Sequence, residues 1–249
     1  MNTYFRNLNK IEFVVTDACT GKCKHCSQGA HTDCKGSIDP ELAARSVREI
    51  AANYSIKTVM TFGGEPLLCP MTVYGIMKAA KEMNIPHRQV ITNGYFSKND
   101  DKITEVAKML AECCVNDLLL SVDAFHQETI PLSYVRKFAA ELKKHKVQVR
   151  LQPAWLVSRE DNNPYNLKTR EILDSFSNMD ILVGEGNVIF PEGNALVYLK
   201  EYFNGIVPEN PYVEDPKDLR CISFSANGDV LGGNVYKQGI IDIINSYSP

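Results

Sequence analysis

Three thiols stand in C-x3-C-x2-C spacing at Cys19, Cys23 and Cys26, within Asp17-Ala18-Cys19-Thr20-Gly21-Lys22-Cys23-Lys24-His25-Cys26. Loops of two or three residues let each sulfur turn inward onto one metal centre, and soft thiolates select zinc, copper(I) or iron–sulfur clusters. Ligand number separates these choices. A structural zinc site is closed by four ligands, and a 4Fe-4S cluster normally takes four cysteines. Three cysteines hold three irons of such a cluster and leave the fourth open to a substrate or cofactor. His25 or Cys34 could instead supply a fourth ligand and close a zinc knuckle.

The chain must place that loop, and its hydrophobic pattern says how. Apolar, β-branched runs begin near Lys57, Arg88, Asp117, Lys146 and Asp180, at spacings of 31, 29, 29 and 34 residues, the length of a βα unit. A first strand near Lys10 stands 47 residues before the second, and the excess is the cysteine loop. Between the strands run amphipathic patterns. One opens at Asp39 as N-cap with Pro40 in the first turn. Others carry Val73, Ile76, Met77 and Ala80, then Ile103, Val106, Ala107, Leu110 and Cys114, then Val135, Phe138, Ala139 and Leu142, with a fifth around Leu167 to Phe176. Such alternation gives a parallel sheet with right-handed crossovers. Periodicity leaves a partial barrel and a doubly wound sheet equally open.

Strand C-termini line the site in parallel α/β folds. Gly63-Gly64-Glu65-Pro66 follows the second strand, Thr92-Asn93-Gly94 the third and Ser121-Val122-Asp123 the fourth, while Gln152 stands near the end of the fifth. Glycines let backbone approach a ligand closely, and a carboxylate beside them can hold an ammonium group. With the cysteine loop, these segments resemble the radical S-adenosylmethionine (radical SAM) superfamily, over roughly residues 8–190. The resemblance implies an α/β fold of the open (β/α)6 partial TIM-barrel type. It implies a 4Fe-4S cluster on Cys19, Cys23 and Cys26, and S-adenosylmethionine bound by Gly63, Gly64 and Glu65, with Asn93, Ser121 and Gln152 as further contacts. The activity implied is reductive cleavage of S-adenosylmethionine to a 5′-deoxyadenosyl radical that takes hydrogen from a substrate, with a flavodoxin- or ferredoxin-type protein as reductant.

Residues 191–249 read as a C-terminal extension packed on the core. Cys221 followed by Phe224-Ser225-Ala226-Asn227-Gly228-Asp229-Val230 resembles the start of a SPASM-type extension, and Asn-Gly signals a hairpin. Cys221 is the last cysteine of the chain and one thiolate cannot hold a further cluster, so the extension is expected to be degenerate. The loop and this tail lean towards a peptide or protein substrate. The alternatives are an activating enzyme for a glycyl-radical partner and a zinc or iron–sulfur module without catalysis. His126 reads as a surface or capping residue, Asp123 as a cap or substrate contact, Arg136 as solvated, Cys69 as a buried thiol and Cys114 as part of a core stripe.

Bulk properties bound the rest. A chain of 249 residues suits one large domain, and a net charge of −3 gives no general attraction to nucleic acid or an anionic membrane. The start, Met1-Asn2-Thr3-Tyr4-Phe5-Arg6, has no apolar signal core, and no window approaches a membrane span. The eight cysteines therefore read as reduced thiols in a cytoplasmic protein.

Overall fold

The computed structural model describes residues 2–30, 36–203 and 210–249, so Cys34 lies outside the described residues. The βα beat is realised in order. The elements are β1 (Lys10–Val14), α1 (Pro40–Asn53), β2 (Thr58–Phe62), α2 (Pro70–Glu82), β3 (His87–Thr92), α3 (Asp100–Glu112) and β4 (Asp117–Ser121). There follow α4 (Ala124–Gln127), α5 (Leu132–Lys144), β5 (Val149–Gln152), β6 (Ala154–Trp155), α6 (Pro164–Asp174), β7 (Leu182–Val183) and β8 (Asn187–Val188). The last part holds α7 (Asn194–Tyr198), β9 (Cys221–Phe224), β10 (Asp229–Val230), β11 (Gly233–Asn234) and α8 (Ile240–Ser246).

Seven strands form one parallel sheet in the order β7-β5-β4-β3-β2-β1-β9, while β6 and β8 form a separate parallel pair. Strands β7 and β9 are its two edges, so the sheet is a partial barrel and does not close. Alternation on β1 shows the two faces. Ile11 and Phe13 are fully buried beneath the helices, while Lys10 and Glu12 line the interior cavity. Helix ends follow from local chemistry. The Asp39 carboxylate accepts from Leu42 N at 2.8 Å, Asn99 accepts from Lys102 N at 3.2 Å, and Asn163 accepts from Asn166 N at 2.9 Å.

The seventh strand comes from the extension. Cys221–Phe224 pairs in parallel with β1, and the Phe224 ring stacks on Phe13 with centroids 4.5 Å apart. Ile222 and Phe224 alternate onto the buried face, which makes this segment a sheet strand as well as the lead-in to a turn. The hairpin is one turn later than Asn227-Gly228 signals. Its ladder pairs Asp229 with Asn234 and Val230 with Gly233, around Leu231 and Gly232, both at positive φ. Asn227-Gly228 makes the preceding turn, with Gly228 N donating to Ser225 O at 3.0 Å. The chain ends meet, because Asn2 Nδ2 donates to Ile244 O and Tyr247 O. Cys114 departs from its expected place. Helix α3 stops at Glu112 and Cys114 takes φ +54, leaving Cys113 buried and Cys114 exposed. Among the described residues no helix is long and apolar enough to cross a membrane.

Candidate functional site

Five of the loops that leave the strand C-termini surround one cavity of about 610 Å³, within the size range of small-molecule sites. Cys19, Cys23, Cys26, Gly63, Gly64, Asn93, Ser121 and Gln152 all line it. Glu65 does not, and its place is instructive. It is fully buried, and its carboxylate accepts from Leu67 N at 2.9 Å, Thr92 Oγ1 at 2.7 Å and Asn93 N at 2.8 Å. Burial pushes it up to about 7 against those three hydrogen bonds. Its side chain joins the second and third strand loops and lies behind the cavity wall.

The two glycines have a structural reason of their own. Gly64 N donates to Thr16 O and Glu65 N to Ala18 O, both at 2.8 Å, so this loop lies against the stem of the cysteine loop. A Cβ at Gly64 would stand 2.1 Å from Ala18 O. Gly63, at φ +130, would place one 2.7 Å from Thr16 O. Only glycine allows both this contact and access to the cavity.

Asn93 ties the third loop to the cysteines. Its Nδ2 donates to Thr20 Oγ1 at 3.1 Å and to Cys19 Sγ at 3.6 Å, while its Oδ1 accepts from Tyr95 N. Ser121 and Gln152 are paired neighbours in the β4–β5 register, and Gln152 Oε1 is buried with no hydrogen-bond partner among the described residues. It is an acceptor ready for a ligand donor. Lys10 is the one lysine or arginine among the described lining residues, and it is paired with Glu12 at 2.5 Å. Arg150, outside the lining, grips Asp117 through two hydrogen bonds of 2.8 and 3.0 Å. Arg136 is elsewhere, on the outer face of α5 with its guanidinium over Phe176.

Without a metal the thiols are held neutral. Burial pushes Cys19 up to about 11, and drives Cys23 and Cys26 upward too. A buried cation reverses that preference, releasing the protons as the sulfurs bind. Three converging thiols open to a cavity fit a three-cysteine cluster site. Cys221 cannot add to it. It pairs with Lys10 in register, four residues and thus about 13 Å along β1 from Val14, where the cysteine loop begins.

Sequence reasoning read Asp123 as a cap, which it is, but missed the wall built around it and one latch. Asp123 is fully buried, caps α4 through His126 N at 2.9 Å, and accepts from His126 Nδ1 at 2.8 Å and Ala154 N at 3.1 Å. Burial acts to raise it, but His126 beside it wins and holds its carboxyl down to about 2. His25 sits between Phe125 and His126, with ring centroids at 5.0 and 4.8 Å, and burial pushes its imidazole down to about 4. One short turn, α4, brings these together, and its only sequence signal is the Asp123 cap. The latch is Asn194, whose N and Nδ2 donate to Cys26 O and Cys23 O at 2.9 and 3.0 Å. Nothing in the sequence around Asn194 marks that contact.

The comparisons with known proteins agree with this geometry. A family model described as the radical SAM superfamily matches residues 13–153, more than half of the chain. Two curated relatives are each a GTP 3',8-cyclase. That of Moorella thermoacetica is 27% identical over 99 residues, 38% of this chain and 30% of the relative. That of Desulforamulus reducens is 24% identical over 188 residues, 69% of this chain and 55% of the relative. The chain thus spans less than two thirds of either. A solved structure described as native anSMEcpe with bound AdoMet and Cp18Cys peptide superposes with a TM-score of 0.61 at 15% identity, over 96% of this chain and 80% of that one. At that identity the likeness is one of fold.

Proposed function

Since the chain belongs to the radical SAM superfamily, we propose that it cleaves S-adenosylmethionine reductively and uses the resulting radical to take hydrogen from a peptide or protein side chain. The observation that carries this reading is the convergence of Cys19, Cys23 and Cys26 on a cavity whose wall also presents Gly63, Gly64, Asn93, Ser121 and Gln152. When bound, a 4Fe-4S cluster on those three cysteines supplies the electron that splits the sulfonium bond of S-adenosylmethionine, giving methionine and a 5′-deoxyadenosyl radical.

The chain's own residues do the positioning. Cys19, Cys23 and Cys26 hold the cluster. Gly63 and Gly64 present backbone to the methionyl end of the cofactor, with Glu65 fixing their loop from behind. Asn93 orients Cys19, Ser121 offers a hydroxyl, and Gln152 offers its unpartnered Oε1 to a donor on the ribose or base. Residues 8–190 carry this chemistry, and 191–249 act as a SPASM-like remnant that latches the cysteine loop through Asn194. A flavodoxin- or ferredoxin-type protein is the expected reductant.

The peptide reading is favoured over a nucleotide by the lining. A triphosphate needs unpaired cations, whereas Lys10, the one lysine or arginine among the described lining residues, is already held by Glu12. The fold likeness to the peptide complex points the same way. The test is anaerobic reconstitution with iron and sulfide, then dithionite and S-adenosylmethionine, with 5′-deoxyadenosine as the readout. Deoxyadenosine from the native chain and none from Cys23→Ala is the expected result. A well-formed cluster that yields none, with or without candidate peptides, overturns the catalytic reading.

A further inference from the structure

One ligating atom from each of Cys23, His25 and His126 lies within 4.8 Å of the other two. Two features single this group out from a chance cluster. The first is an orphan: His25 Nδ1 is buried and has no hydrogen-bond partner among the described residues. A buried ring nitrogen left so is costly unless something binds it. The second is orientation. His126 Nδ1 is committed to the Asp123 carboxylate at 2.8 Å, an oxygen that can only accept, so the neutral ring carries its proton there and offers a lone pair at Nε2. A carboxylate–histidine pair of this kind is the usual support for a metal-bound imidazole, fixing both tautomer and ring angle. Asp123 is itself anchored by His126 N and Ala154 N, so the support is rigid.

From this geometry we propose that the cluster-free chain carries a second metal site, built from Cys23, His25 and His126, that takes a divalent ion of the zinc class. One thiolate and two imidazoles suit a borderline-soft ion. Tetrahedral zinc holds such atoms about 3.4–3.6 Å apart, so the three side chains close by an ångström or so when the ion enters. All three residues line the cavity, which leaves the fourth position open to water or a small ligand. Binding releases the Cys23 thiol proton to solvent, while the histidines bind in their neutral form.

The site has a consequence that rests on the cluster reading: Cys23 cannot serve zinc and iron at once. Cys19 and Cys26 belong to the cluster set and stand outside the zinc set. Zinc at this site therefore excludes the cluster while leaving two of its ligands idle, and the choice of metal is made by the histidines.

Cobalt(II), titrated anaerobically into the metal-free chain, is the probe, since its visible absorption reports tetrahedral geometry and thiolate ligation. One equivalent is expected to bind with a thiolate-to-metal band and to be displaced by zinc. Cys19→Ala and Cys26→Ala should keep the band. Cys23→Ala should lose it, and His126→Ala should weaken binding at least tenfold. Iron and sulfide uptake by His126→Ala serves as its folding control, and the two cysteine variants decide the matter independently. Zinc given first should block iron uptake in the native chain but not in His126→Ala. Loss of the band in Cys19→Ala and Cys26→Ala, with His126→Ala unchanged, would place the ion on the cysteine triad and overturn the proposal. Absence of cobalt binding overturns it as well. The cobalt pattern without cluster formation in any variant supports this site and removes the cluster reading instead.

Discussion

Replacing Gly64 by alanine tests whether the glycine pair serves the contact between two loops. The added Cβ would stand 2.1 Å from Ala18 O, 2.6 Å from the Ala18 carbonyl carbon and 2.7 Å from Asp17 O. All three are backbone atoms, so no side chain can swing away. Relief requires the two loops to part by roughly 1.5 Å to reach ordinary contact. Overpacking of this kind costs about 1–3 kcal/mol. The parting also strains the bonds Gly64 N to Thr16 O and Glu65 N to Ala18 O, each contributing about 1 kcal/mol. The sum is about 3–5 kcal/mol, a large share of a stability on the order of 5–15 kcal/mol. For a chain of this length that corresponds to a fall in Tm of roughly 10 °C. The assay is urea or thermal unfolding of the metal-free chain, followed by iron uptake, because Ala18 adjoins Cys19. Gly232→Ala is the control. Gly232 has φ +78 but nothing within 4 Å of its Cβ, so it reports backbone strain alone, about 1–2 kcal/mol. Equal losses in the two variants, with normal iron uptake, would refute the loop-packing argument.

Three further outcomes are expected. Phe224→Ala removes the ring stacked on Phe13 and should cost about 3–5 kcal/mol; a midpoint shift within error would show that β9 is dispensable. The Asp123 carboxyl is held at about 2 against an ordinary 3.8, so its contribution is present above pH 3.8 and is lost as pH falls towards 2. Asp123→Asn should cost about 2 kcal/mol at pH 7, with a gap from the native chain that narrows in acid, and a gap constant with pH would sink this. Glu65 runs the other way. Raised from 4.5 to about 7, it contributes stability below pH 4.5 that is lost as pH rises through 7, on the order of 3 kcal/mol. Unfolding curves of Glu65→Gln should lack that slope.

The βα beat was legible because α1, α2, α3 and α5 each carry an apolar stripe, with a cap marking the start of α1 at Asp39, and each strand is buried under helices on one face. The β9 strand was not, since Cys221–Phe224 is four residues long and finds its partner β1 some 210 positions away, a pairing no local pattern encodes. The same holds at the site. Cys19, Cys23 and Cys26 are recognisable because their spacing is local. The wall of His25, His126 and Asp123 depends on a one-turn helix after β4, too short to show periodicity. Gly63 and Gly64 were visible as glycines, but their reason was not: it is the carbonyl of Ala18 from another loop.

Gly63 and Gly64 are therefore packing residues as well as part of the cavity wall. Gly64 and Glu65 bind the cysteine-loop stem through their backbone N–H groups, and the Glu65 carboxylate binds Thr92 and Asn93. Asn93 then returns to Thr20 and Cys19. Three segments distant in sequence thus close a single hydrogen-bond circuit around the thiols. In such a circuit each bond is made at full strength only while the others hold the loops in register. Asn93→Ala keeps the backbone N–H that Glu65 accepts but frees Cys19, and Glu65→Gln puts an amide where two acceptor oxygens are needed. If the circuit acts as a unit, the double variant should lose less stability than the two singles added together, by about 0.5–3 kcal/mol. Unfolding midpoints of the four chains measure it. Agreement with the simple sum to within about 0.5 kcal/mol would mean that the three loops are independent neighbours, each folded by its own strand.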